Sequence, residues 1–116
     1  MIRPLDYETE LTLEQAQERF QEILDAFEKI KKGYPGFPGR LRRKISDEDN
    51  KTLGDCIGVL LPLSMKAAVQ QQLVSGEEYP LWMQIGRLQQ DIMLFLARFK
   101  NSGVKVIQGG GDFFGF

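Results

Sequence analysis

Two segments of the chain carry the same spacing of apolar residues. In each segment, apolar side chains recur at alternating intervals of three and four residues, which places them along one face of an α-helix. The first set is Leu13, Ala16, Phe20, Ile23, Phe27 and Ile30, and the second is Leu81, Ile85, Leu88, Ile92, Phe95 and Phe99. Since an apolar helix face has to be buried, the sequence predicts two long amphipathic helices that pack against a partner surface.

The predicted first helix has recognisable signals at both ends. Thr12 followed by Gln15 fits a capping box, in which two side chains satisfy backbone N–H groups at the helix start. Lys31, Lys32 and Gly33 are typical of a helix end. A helix from Leu13 to Lys32 would extend about 30 Å at 1.5 Å per residue, which is long for a small domain.

The middle of the chain carries a second helical pattern, interrupted by a proline. It begins at Ser46, and Pro62 lies inside it. Because proline in a helix interior costs about 3 kcal/mol, we expect either a kink or a break into a short helix over residues 63–74. Gly54 and Gly58 lie four residues apart, a spacing that would let another helix approach the backbone closely.

A third helix is predicted from near Pro80 to about Lys100. Some apolar side chains lie beside or away from the stripes of the predicted helices: Leu24, Val59, Leu61, Trp82, Met83, Met93 and Leu96. We therefore expect apolar surface to remain available for other chains.

Composition excludes several classes of protein. A chain of 116 residues with 42% hydrophobic residues and a net charge of -1 is typical of one water-soluble domain. No sequence stretch suggests the roughly 20 apolar residues of a membrane span, and residues 1–10 lack the apolar centre of a signal peptide. The expected location is the cytoplasm or an intracellular assembly such as a virion, with no membrane partner.

The sequence carries little apparatus for catalysis. It has no histidine, and Cys56, its one cysteine, has the apolar context of a buried, unreactive thiol. Asp47, Glu48 and Asp49 are explained by the preference for acidic residues at a helix start, and no phosphate-binding or calcium loop is present. We expect no enzyme activity, no cofactor, no metal site and no small-molecule substrate.

A basic loop joins the first two predicted helices. Residues 31–44 hold six of the fifteen basic residues and no acidic one, while the remainder has nine basic against sixteen acidic residues. Basic groups beside aromatic rings suit a single-stranded nucleic acid, because cations meet phosphates and rings stack on bases. The other interpretation, favoured by the mildly acidic overall balance, is a solvated loop paired with acidic groups of a neighbouring subunit. The candidate residues are Lys31, Lys32, Tyr34, Phe37, Arg40, Arg42, Arg43 and Lys44.

The last residues form an aromatic tail after a glycine-rich spacer. Asp112 precedes Phe113, Phe114 and Phe116, which are costly to leave in water and suited to a pocket on a partner. Equally, the tail can fold back and close the open end of its own bundle. These five residues resemble the acidic-aromatic C-terminal peptides with which single-stranded-DNA-binding proteins and phage replication or late-transcription factors dock on their machinery.

These patterns together predict an all-α fold. We expect a bundle of three long helices over residues 1–103, the middle helix kinked or split at Pro62, with a Pro/Gly-rich basic loop and an extended tail over residues 104–116. The function that fits is a non-enzymatic structural or accessory subunit of a larger assembly, binding other protein subunits or further copies of itself. The alternative is a nucleic-acid-binding accessory protein acting through the basic loop, which resembles at the level of fold class the small helical subunits of RNA-guided effector complexes.

Overall fold

A computed structural model describes residues 2–35, 44–72 and 80–103 of the chain. Within these ranges the protein contains three helices and no strand: α1 (Leu13–Lys32), α2 (Asp47–Gln72) and α3 (Leu81–Ala97). The α2–α3 contact is the most extensive, and α1 packs mainly on α2. The all-α prediction and the three-helix bundle are confirmed, whereas the tail and the centre of the basic loop lie outside the described residues.

The predicted bounds of α1 are confirmed. The Thr12 Oγ1 accepts the backbone N–H of Gln15 at 3.1 Å, and the Gln15 Oε1 accepts the backbone N–H of Thr12 at 2.9 Å. These two bonds make the capping box that the sequence predicted. At the other end, the Gly33 N–H donates to the Ile30 carbonyl at 2.9 Å and closes the helix.

The second helix continues through Pro62 as one element. It begins after Ser46, whose Oγ accepts the Asp49 N–H at 3.1 Å. The predicted split into a separate helix over residues 63–74 is therefore wrong, because the helix runs unbroken to Gln72. The Pro62 side chain is fully buried, and burial of its ring offsets part of the cost of the lost backbone hydrogen bond. A bend at Pro62 stays a prediction.

The third helix begins where predicted and ends earlier. Pro80 is its N-cap, but the helix stops at Ala97 rather than near Lys100. The Phe99 N–H donates to the Leu96 carbonyl at 3.0 Å, three residues back, so the chain continues in tighter turns. Phe99 is nevertheless buried, because these turns keep its ring against the core.

The core contains the apolar stripes that the sequence predicted. Every residue of the second stripe is buried, from Leu81 in α3 to Phe99 just after it. In the α1 stripe three residues are buried, Ala16, Ile23 and Phe27, and three are half-buried, Leu13, Phe20 and Ile30. The fully buried large side chains include Ile23, Leu53, Leu60, Leu63, Ile85, Ile92 and Leu96. Of the residues placed off the stripes, Val59 and Leu96 are buried, so the outer apolar surface is smaller than the sequence suggested.

The segment before α1 is attached to the bundle. The Ile2 side chain belongs to the core, and the Arg19 guanidinium donates to the Arg3 carbonyl at 2.5 Å. The Lys66 amine of α2 donates to the Thr9 carbonyl. This N-terminal segment, residues 2–11, thus contacts both α1 and α2, a role that the sequence analysis did not assign to it.

Two adjacent leucines of α2 provide a matched test of this core. Leu60→Ala removes a fully buried side chain and should lower the free energy of unfolding by about 2–5 kcal/mol. Leu61→Ala makes the same change at a side chain that is 48% exposed and should cost under about 1 kcal/mol. Urea unfolding followed by circular dichroism measures both, and equal losses would contradict the orientation of α2.

Candidate docking surface on α2

One face of α2 is apolar and exposed along most of the helix. Five of its residues are spaced by four, three, four and four positions, which places them in one line, and all five are exposed. We call this line the outer stripe: Gly54, Gly58, Leu61, Met65 and Val69. The three large side chains are 48%, 54% and 61% exposed. The outer stripe carries no charged residue, so it combines apolar character with access to solvent.

Two other parts of the chain flank the outer stripe. The Ser64 Oγ donates to the Trp82 carbonyl at 3.3 Å, which brings the start of α3 beside the turn between Leu61 and Met65. Trp82 and Met83 are themselves about two-fifths exposed. On the other flank, the bond from Lys66 to Thr9 holds the N-terminal segment against α2. The outer stripe therefore lies between the N-terminal segment and α3.

The apolar residues of α2 are not all buried in the core. By length and composition alone, Asp47–Val69 is apolar enough to cross a membrane, which differs from the expectation drawn from the sequence. Core helices of water-soluble proteins pass the same test, so this property does not locate the protein. Only 39% of the most apolar window is buried, and the remainder includes the outer stripe.

The two glycines of the outer stripe do not mediate helix packing within the described residues. A Cβ added at Gly54 or at Gly58 would have no neighbouring atom within 4 Å. The spacing of this pair would allow another helix to approach closely, but no helix among the described residues does so. With respect to residues 2–35, 44–72 and 80–103, the space above the two glycines is open.

A groove of about 420 Å³ lies beside these glycines. One wall is formed by the N-terminal segment and the other by the first half of α2. Its lining residues are Ile2, Pro4, Leu5, Lys51, Gly54, Asp55, Gly58 and Val59. Apart from Lys51 and Asp55, which pair with each other at 3.3 Å, the lining carries no charged group.

The basic loop is described only at its two ends. Lys31, Lys32, Tyr34 and Lys44 fall within the described residues, whereas Phe37, Arg40, Arg42 and Arg43 lie outside them. The Lys31 amine pairs with the Glu28 carboxylate at 3.0 Å and lies 4.8 Å from the centre of the Phe27 ring. Lys32 and Lys44 are exposed. The structure thus gives Lys31 contacts within α1 and leaves Lys32 and Lys44 facing solvent.

Tyr34 connects the end of α1 to the start of α2. Its hydroxyl donates to the Asp49 carboxylate at 2.8 Å and accepts the Ser46 N–H at 3.0 Å. Its ring packs edge-on against Phe95 and Phe99, with centroid distances of 6.1 and 5.0 Å. Tyr34, a candidate for stacking on a nucleic-acid base, is therefore half-buried where the end of α1, the start of α2 and the end of α3 meet.

The remaining candidates are placed as follows. Cys56 is buried, as predicted, and burial, with a smaller effect from Asp55, raises the pKa of its thiol to about 11, so it stays protonated at neutral pH. No group of three or more potential ligands that could hold a metal ion occurs among the described residues. Asp112, Phe113, Phe114 and Phe116 lie outside the described residues.

Comparison of the chain with protein families, with curated proteins and with solved structures finds no match.

Only part of the outer stripe was predicted from the sequence. Leu61, Trp82 and Met83 were expected as off-stripe apolar residues, whereas Met65 and Val69 were not. The signal was available, because Met65 and Val69 follow Leu61 at intervals of four residues. It was obscured by the expected break at Pro62, which would have separated Leu61 from the other two.

The hydroxyl of Tyr34 can be tested without disturbing its ring. Tyr34→Phe keeps the aromatic contacts but removes the bonds to Asp49 and Ser46, and should lower the free energy of unfolding by about 1 kcal/mol. Tyr7→Phe removes a hydroxyl from a side chain that is 59% exposed and should change it by less than about 0.5 kcal/mol. Denaturant unfolding of both variants is the measurement, and equal stability of the two would remove the connecting role of Tyr34.

Proposed function

We propose that the protein is a non-enzymatic structural or accessory subunit of a larger macromolecular assembly, docking through its helical faces. The observation that supports this proposal is the outer stripe, in particular the row of Leu61, Met65 and Val69. The proposal extends to an expected bend at Pro62, a Pro/Gly-rich basic loop and an extended aromatic tail, which offers a second contact. The partners are other protein subunits, including further copies of this chain, in a cytoplasmic or virion-type assembly.

The chemistry of the outer stripe suits a protein interface. Burial of a large apolar side chain contributes about 1.5–3 kcal/mol, and the fully buried centre of an interface is depleted of charge. The row from Leu61 to Val69 extends about 12 Å along α2 at 1.5 Å per residue, and methionine adapts its shape to a partner. Three such side chains in one line give a partner helix or sheet a continuous apolar contact.

The outer stripe also differs from the exposed face of α1. That face carries Glu14, Glu18, Glu22 and Glu28 among its exposed residues, as a solvated helix face does. In α2 the exposed charged residues, Asp47, Glu48 and Lys51, lie in the first turns, whereas every exposed position between residues 54 and 69 belongs to the uncharged outer stripe. This asymmetry supports docking through α2 and solvent contact through α1.

The basic loop supports a second candidate, a nucleic-acid-binding accessory protein. The charge asymmetry between residues 31–44 and the remainder of the chain favours contacts with phosphates. Two of the eight candidate nucleic-acid-binding residues already make contacts within the protein, because Lys31 pairs with Glu28 and Tyr34 bonds to Asp49. We therefore rank this function second.

Polar replacements in the outer stripe test the first proposal. The double variant Leu61→Gln/Met65→Gln keeps good helix formers at exposed positions, so it should fold, but it should lose self-association or capture of a partner subunit by at least about tenfold in Kd. Light scattering over a concentration series, at low and high salt, measures molar mass directly. Glu18→Gln on the exposed face of α1 is the matched control and should leave association unchanged.

Two results would go against this proposal. The first is association that is unaffected by the double variant. The second is a monomer at every concentration that binds single-stranded RNA or DNA with a steep salt dependence and loses binding in Arg40→Ala/Arg42→Ala/Arg43→Ala. That second result would instead support the nucleic-acid-binding function.

A further inference from the structure

The floor of the groove is the backbone of α2 at Gly54 and Gly58. No contact among the described residues explains why glycine stands at these two positions. Each glycine in an exposed helix interior costs about 1 kcal/mol relative to alanine. Packing among the described residues does not require glycine at either position, since an added Cβ would meet no described atom within 4 Å. The bare backbone leaves room for an occupant to lie directly on α2.

The groove combines apolar walls with a cation at its rim. Ile2, Leu5 and Val59 contribute apolar surface, and the volume of about 420 Å³ lies in the range of roughly 300–1,000 Å³ found for ligand pockets. The amine of Lys51 is 3.3 Å from the Asp55 carboxylate, but the Lys51 side chain is 78% exposed. Exposed pairs of this kind are weak, so the amine can be shared with a second carboxylate.

We propose that this groove binds the C-terminal Phe-Phe-Gly-Phe segment of the same chain. The described part of the chain ends near the start of α2, because the Asn101 side chain makes two hydrogen bonds of 2.9 Å with the backbone of Ile45. Gly54 and Gly58 lie about 12 and 18 Å along the helix axis from Ser46. The thirteen residues after Gly103 can span about 45 Å, which covers this distance and the width of a helix.

The chemistry of the segment matches the groove. Its rings supply the apolar surface that the walls of Ile2, Leu5 and Val59 can bury, and Gly115 lets the backbone approach a floor without side chains. The side-chain carboxylate of Asp112, which directly precedes Phe113, supplies the negative charge for the Lys51 amine. A short tether also gives the tail of the same chain a millimolar effective concentration, which favours it over the tail of a second copy at ordinary protein concentrations.

This inference assigns the tail to its own chain in place of the second contact with a partner, and it leaves docking through the row from Leu61 to Val69 unchanged. The groove uses the glycine half of the outer stripe, whereas docking of a partner subunit uses the row from Leu61 to Val69. Loss of tail binding and loss of assembly are therefore distinguishable with variants of different residues.

Digestion from the C-terminus of the full chain tests the inference. Carboxypeptidase Y releases phenylalanine from a free tail but not from a bound one, and mass spectrometry gives the rate. Gly58→Leu places a side chain in the groove, its Cβ would meet no described atom within 4 Å, and it should accelerate release of Phe116 at least fivefold. Gly86→Leu is the matched control, because Gly86 is also an exposed helical glycine with open space, and it should leave the rate unchanged.

A double-mutant cycle gives a second measurement that does not depend on the protease. Phe113→Ala/Phe116→Ala should lower the midpoint of thermal unfolding in the parent chain and have no effect in the Gly58→Leu background. Equal digestion rates in all three chains, or equal effects of the phenylalanine changes in both backgrounds, would overturn the inference. Protection that rises with protein concentration would also overturn it, since it would assign the tail to the groove of a second copy.

Discussion

Burial of α2 between the other elements is the contact on which the remainder of the structure depends. Leu53, Leu60 and Leu63 are fully buried, and α2 makes the largest contacts of both α1 and α3. The continuity of α2 through Pro62 keeps these buried residues on one continuous helix. It also keeps Leu61, Met65 and Val69 in line on the opposite face, so the same helix supplies the core and the outer stripe.

Polar contacts gather several chain segments at one end of the bundle. Tyr34 is bonded to Ser46 and Asp49, and Asn101 is bonded to Ile45. Tyr34, Ile45 and Asn101 are therefore held near the first turn of α2. These described residues lie in or next to the basic loop and shortly before the tail, whereas the row from Leu61 to Val69 lies farther along α2.

The starts of the helices were predictable from local sequence signals. The continuity of α2 and the end of α3 depend on contacts between residues far apart in the sequence, so they were not. The capping box of Thr12 and the acidic start after Ser46 act within one turn, so the beginnings of α1 and α2 were predictable. The unbroken passage through Pro62 depends on burial of its ring by other elements, and the early end of α3 depends on the fit of Phe99 into the core. The outer stripe was only partly predicted. The spacing of apolar residues shows that they share a helix face, but it does not show which face the other helices of the bundle cover.

The central claim is that the described fold leaves one apolar face of α2 in contact with solvent in the isolated chain. Methyl NMR of the chain with ¹³C-labelled methionine, at low protein concentration with a soluble paramagnetic agent, tests it most directly. Met65 is 54% exposed and Met83 is 42% exposed, while Met93 is half-buried. The account predicts strong relaxation of the Met65 and Met83 methyl signals and weaker relaxation of Met93. A Met65 signal as protected as that of Met93 would contradict it.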